Sequence, residues 1–166
     1  DNVYSWLAFT DLVFIDPVET GYSRPAEGAD KKEFTGYSED LRSVGDFIYK
    51  YVSTQTRWQS PKFLVGESYG TTRAAGLSGY LQDRHGMYLN GIVLVSAVLN
   101  FQTIRPAAGN DLPYPLILPS FAAAAWYHGL LDKNRFPDLP STLRAAEQFA
   151  MGDYNKKVEI NPETFK

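Results

Sequence analysis

Apolar residues fall along this chain in short blocks separated by proline, glycine and charge, and the blocks alternate in kind. Leu12-Val13-Phe14-Ile15 is a compact apolar run between Asp11 and Asp16-Pro17. It predicts a buried strand, closed by a proline that cannot continue a ladder. Leu41, Val44, Ile48, Tyr51 and Val52 then recur at helical spacing behind Ser38, Glu39 and Asp40. That predicts an amphipathic helix with acidic residues against its N-terminal dipole, ending near Thr54 to Trp58. Pro61 opens a second strand at Lys62-Phe63-Leu64-Val65. A helix over 71–84 follows, broken at His85-Gly86, and Leu89 to Val95 makes a third strand.

Strand, helix, strand, helix, strand predicts an α/β protein with parallel strands, because crossovers of this kind are right-handed. Near-continuous apolar strands expect helices on both faces. The last third changes character. Pro113, Pro115 and Pro119 predict an extended or irregular stretch over 111–119. Ser120 is placed to cap a helix reaching His128 and stopped by Gly129, and a further helix is expected over 141–151. The charged tail from Asp153 to Lys166 reads as helical or frayed. No strand is expected beyond residue 100.

Composition narrows the function classes. The 166 residues carry a net charge of −3, with no basic bias of the kind nucleic acid requires. No apolar run approaches the roughly 20 residues needed to span a bilayer. Without cysteine there are no disulfides or thiolate metal sites, and the two histidines stand far apart, so neither a metal nor another cofactor is expected. The opening Asp1 to Leu7 has no initiator methionine and no signal-peptide pattern, and reads as the interior of a longer protein.

The candidate chemistry lies in Gly66-Glu67-Ser68-Tyr69-Gly70, which has the form G-x-S-x-G. The bare pattern is as compatible with an ordinary turn. A strand before it and a helix after it favour a nucleophile elbow, with Ser68 exposed at the carboxyl end of the strand. A strand reversing into a helix this quickly is expected to need glycine at both Gly66 and Gly70. A serine hydroxyl needs a base, normally a histidine oriented by a carboxylate. His85 follows Ser68 by 17 residues (85 − 68). At about 1.5 Å per helical residue it sits some 20 Å away. His128 reads as a surface or packing residue. The chain therefore has a nucleophile and no base.

Asp11 to Ser23, with its Asp16-Pro-Val-Glu-Thr-Gly-Tyr-Ser23 core, together with Gly66 to Gly70, resembles the serine carboxypeptidases, peptidase family S10. The Asp-Pro form of the first motif and the stretch Tyr114 to Leu131 are similar to the bacterial branch. The resemblance implies a partial α/β-hydrolase fold: three parallel strands with flanking helices over 1–100, and the start of a helical lid over 101–166. It implies a secreted or periplasmic enzyme that removes C-terminal residues from peptides. Ser68 matches the nucleophile, and the Tyr69 backbone N–H matches half of the oxyanion hole. Glu67 matches an acidic residue holding the terminal carboxylate of the substrate. On the residues alone, Glu67 points as readily into solvent or a structural ion pair.

The aspartate and histidine of such enzymes follow the lid, so the resemblance implies an internal fragment that is inactive alone. An esterase or aminopeptidase of the same fold, or a non-catalytic binding module, are the other readings. Two positions depart from the family: Thr71 and Glu19 stand where glycine is common. Three strands cut from a larger sheet expose unpaired edges, which predicts oligomers or strand exchange.

Overall fold

The computed structural model describes residues 2–154 of the chain. Two compact units divide it, Asp1–Leu99 and Asn100–Lys166. In the first, a short 3₁₀ turn at Trp6–Ala8 is capped by the Ser5 hydroxyl, and a long loop leads to α1 (Lys32–Thr35). Helix α2 (Tyr37–Thr54) starts after the extended Gly36 and has Glu39 and Asp40 in its first turn. It buries Leu41, Val44, Ile48 and Val52, four of the five residues on the expected stripe. Strand β1 (Phe63–Glu67), helix α3 (Tyr69–His85) and strand β2 (Gly91–Val95) complete the unit.

The two strands are parallel, in a register running from Phe63↔Gly91 to Glu67↔Val95. Asn90 closes the start of the ladder from both sides: its N–H donates to the Lys62 carbonyl at 2.7 Å, and its side-chain oxygen accepts from Lys62 N–H at 2.8 Å. Leu41, Val44, Ile48 and Val52 meet Leu77, Leu81 and Met87 in one core, with Ile15, Leu64 and Leu89 packed at its margin. Gly86, at φ +62, ends α3, and the next residue's N–H bonds back to the Leu81 carbonyl. This left-handed stop buries Met87 against the helix it terminates.

The ladder has two strands, not the expected three. Leu12–Ile15 joins no sheet among the described residues. Its apolar content brings only Ile15 to the core margin, and Phe14 remains 88% exposed. Hydrophobicity predicts burial, but a strand also needs a neighbour whose backbone accepts its N–H groups, and among the described residues β1 pairs only with β2. Among the described residues of the first unit, helices do not cover both faces of the sheet either. Phe63 and Val65 alternate onto the same face as their partners Gly91 and Val93, and they are 61% and 55% exposed. Glu19 takes the left-handed φ of +72 that a glycine would adopt freely, and its N–H donates to the Ser23 carbonyl. Its carboxylate pairs with Lys31 at 3.1 Å. The departure from glycine leaves the turn left-handed.

In the second unit, α4 (Pro113–Tyr127) packs on α5 (Leu139–Phe149), which passes into a π-type turn at Ala150–Tyr154. Helix α4 begins seven residues before the expected Ser120 (120 − 113) and overturns the irregular stretch. First-turn N–H groups have no intrahelical acceptor, so Pro113 and Pro115 sacrifice nothing there, and their fixed φ is helical. Only Pro119 removes a helical bond. Gly129, at φ +69, stops the helix as expected. Asp138 caps α5, accepting from Ser141 N–H at 2.7 Å; that bond, seconded by the Ser141 hydroxyl, holds the carboxyl below its ordinary range. Most of the charged tail, 155–166, lies outside the described residues.

Glycines on both sides line the contact between α2 and α3. A β-carbon at Gly45 would stand 2.5 Å from Tyr80 Cδ1, and one at Gly76 would strike the Tyr37 hydroxyl. Gly45→Ala is therefore expected to destabilise the chain by about 1–3 kcal/mol through overpacking, despite the gain of roughly 1 kcal/mol in helix propensity. Urea denaturation measures it; a more stable variant would show that the helices simply part.

Candidate active site

One residue separates β1 from α3. Ser68 makes the whole turn, with φ +54 and ψ −120. This backbone is left-handed, a region that costs an L-residue of order 1–3 kcal/mol and persists only where its surroundings enforce it. Gly66 is part of that enforcement. A β-carbon there would overlap the Gly70 carbonyl and lie 2.8 Å from Thr71 N, and backbone atoms cannot swing aside. Gly70 differs from the expectation, since a β-carbon at that position would meet nothing within 4 Å.

Serine at a helix N-cap ordinarily folds its hydroxyl back onto the first-turn N–H groups. Ser68 does not: its side chain makes no cap bond and the residue is exposed. The hydroxyl is thus not spent on the first turn of its own helix. Tyr69 is the first residue of α3, so its N–H sits at the positive end of the helix dipole. Glu67 ends β1, exposed, in register with Val95. All three sequence-predicted site residues thus lie consecutively at the carboxyl end of a parallel strand.

Two sets of contacts that sequence reasoning missed hold this turn. The first faces β2. Ser68 N–H donates to the Val95 carbonyl at 3.0 Å, extending the ladder one residue past the strand. The fully buried Thr71 hydroxyl donates to the Ser68 carbonyl at 2.6 Å and accepts from Val98 N–H at 2.8 Å. The Thr72 hydroxyl donates to the Val98 carbonyl. Thr71, read as a departure from a family glycine, is a rivet between the turn and the segment after β2. Ser96, the residue after β2, is also left-handed, at φ +53.

The second set faces α2. Arg73 forms a two-pronged pair with Asp40, Nε–Oδ2 2.7 Å and Nη2–Oδ1 3.1 Å. Its guanidinium carbon stands 5.1 Å from the centre of the Tyr69 ring. Burial first, then the Asp40 charge, raises the Tyr69 phenol above its ordinary pKa, with Arg73 opposing. Tyr69 is accordingly neutral at physiological pH.

Both histidines are engaged away from Ser68. His85 closes the far end of α3, its Nε2 lying 2.9 Å from Asp46 Oδ1 and its ring stacked on Tyr49 at 4.3 Å. Tyr80 donates to the same carboxylate oxygen at 3.0 Å, so the cluster fastens α2 to α3. His128 ends α4 in the second unit, edge-on to Tyr127. Among the described residues no group of three or more His, Cys, Asp or Glu side chains is arranged to hold a metal, and no helix is long and apolar enough to cross a membrane.

Thr71→Val keeps the shape and deletes the hydroxyl, leaving Val98 N–H and the Ser68 carbonyl short of a partner. A loss of about 1–3 kcal/mol is expected, with Thr71→Ser retaining most of the stability. A loss on denaturation in Thr71→Ser but not in Thr71→Val would assign the effect to the methyl group instead.

Comparison with curated proteins and with solved structures finds no match. The family model described as serine carboxypeptidase matches residues 1–163, nearly the whole chain and both motifs within it. With a strained serine at a strand-to-helix turn and that match across its length, the chain belongs to the serine carboxypeptidase family.

Proposed function

We propose that this chain is the nucleophile-bearing part of a serine carboxypeptidase that releases C-terminal residues from peptides through an acyl-enzyme on Ser68. The single observation that carries the reading is the left-handed Ser68 backbone, which withholds the hydroxyl from its own helix. Ser68 Oγ attacks the carbonyl carbon of the last peptide bond and gives its proton to a histidine base. The oxyanion forms beside the Tyr69 N–H at the α3 dipole. The base returns the proton to the departing amine, and water then cleaves the ester. Glu67, beside the nucleophile, holds the terminal carboxylate of the substrate.

The base and its orienting carboxylate belong, in this reading, to parts of the α/β-hydrolase fold outside these 166 residues. His85 is spent on Asp46, at the opposite end of α3 from Ser68. Residues 101–166 form the start of a lid. The isolated chain is inactive, and its bare sheet face and unpaired strand edges favour association. The same His85 engagement is what favours the second reading, a non-catalytic binding module.

A fluorophosphonate probe separates the two, because it reacts only with an activated hydroxyl. Full-length protein is expected to label at Ser68 and Ser68→Ala not at all, with the isolated chain slower by about a thousandfold or more. Full-length protein that resists the probe would favour the binding module.

Two facing carboxyl groups repel when both are ionised and share a strong hydrogen bond when one keeps its proton. Affinity for peptides with a free C-terminus is therefore expected to rise as pH falls, and Glu67→Gln to flatten that dependence in the full-length enzyme. An unchanged pH profile of KM would remove Glu67 from the substrate site.

A further inference from the structure

The geometry points to the Asp40–Arg73 pair as a positioning device for the catalytic turn, acting through Tyr69; this rests on the reading of Ser68 as nucleophile. Asp40 belongs to α2 and Arg73 to α3, so their two-pronged contact at 2.7 and 3.1 Å fixes where α3 lies along its neighbour. The side chains are only 9% and 21% exposed, and taking two such charges out of water is costly unless their geometry is good. An ion pair that served cohesion alone would be replaceable by apolar side chains of similar size without loss. This one has a second contact that apolar substitutes cannot reproduce.

Arg73 lies one helical turn after Tyr69, and helical side chains lean back toward the N-terminus. Its guanidinium consequently stands over the Tyr69 ring at 5.1 Å, and the Asp40 charge adds to burial in raising the Tyr69 phenol. Tyr69 is thus held from its face by Arg73, whose guanidinium Asp40 in turn fixes from α2. Its backbone follows directly on Ser68 and carries the N–H assigned to the oxyanion. On the opposite side, Thr71 and Thr72 fix the turn to Val98. The turn is held between β2 and α2, and the ion pair is the α2 side of that grip.

The test uses the full-length protein and two readouts, thermal midpoint and second-order rate of fluorophosphonate labelling at Ser68. Asp40→Leu and Arg73→Met singly are expected to lower the midpoint and to slow labelling about tenfold, since small displacements at a reacting centre carry large rate penalties. In the double variant the midpoint recovers while labelling stays slow. Recovery of both would mean that the pair serves cohesion only, and labelling at the wild-type rate in the single variants would overturn the inference equally. If a single variant fails to fold, Arg73→Lys decides. It keeps the charge but loses the fork and the planar stack, and slowed labelling with kcat reduced and KM unchanged is the expected result. A wild-type rate there overturns the proposal. Wild-type protein that does not label at all removes the nucleophile assignment itself, a different outcome from any of these.

Discussion

The structure turns on one close approach, that of the Gly66 α-carbon to the Gly70 carbonyl. A single added carbon would occupy the space of that carbonyl. Because the two backbones run this close, β1 becomes α3 across one residue, and that residue must accept a conformation it would not choose. Ser68 is stabilised in it by bonds made on both of its backbone polar groups: its N–H to Val95, its carbonyl to both the Thr71 N–H and the Thr71 hydroxyl. With the backbone committed in this way, the side-chain oxygen is left over. Strain and exposure at Ser68 are therefore two descriptions of one constraint.

Much of this was legible in the order of residues because periodicity and local motifs report local geometry. The stripe of Leu41, Val44, Ile48 and Val52 defined α2 almost to its ends, and Gly86 and Gly129 marked real helix stops. The elbow was legible because its requirement at Gly66 is steric and acts between neighbours in sequence. Leu12–Ile15 misled for the opposite reason: whether an apolar run becomes a strand depends on a partner that its own composition cannot specify. The prolines of α4 misled because a residue that breaks a helix in the middle is compatible with its first turn.

The supports of the turn were illegible for yet another reason. Asp40 and Arg73 are separated by 33 residues, and Thr71 and Val98 by 27. Nothing in a charged residue on an amphipathic helix, or a threonine in place of glycine, announces a partner that far along the chain. Asp40 complements the α2 dipole, but the larger claim on its carboxylate comes from the next helix.

The Val98 rivet has a mechanical corollary. Val98 is held on both its N–H and its carbonyl by consecutive threonines of α3, one residue before the first compact unit ends at Leu99. The chain leaving β2 is thus tied at two points before the second unit begins. The Ser68 turn and the segment leaving β2 are thereby fixed to one another through the first turn of α3.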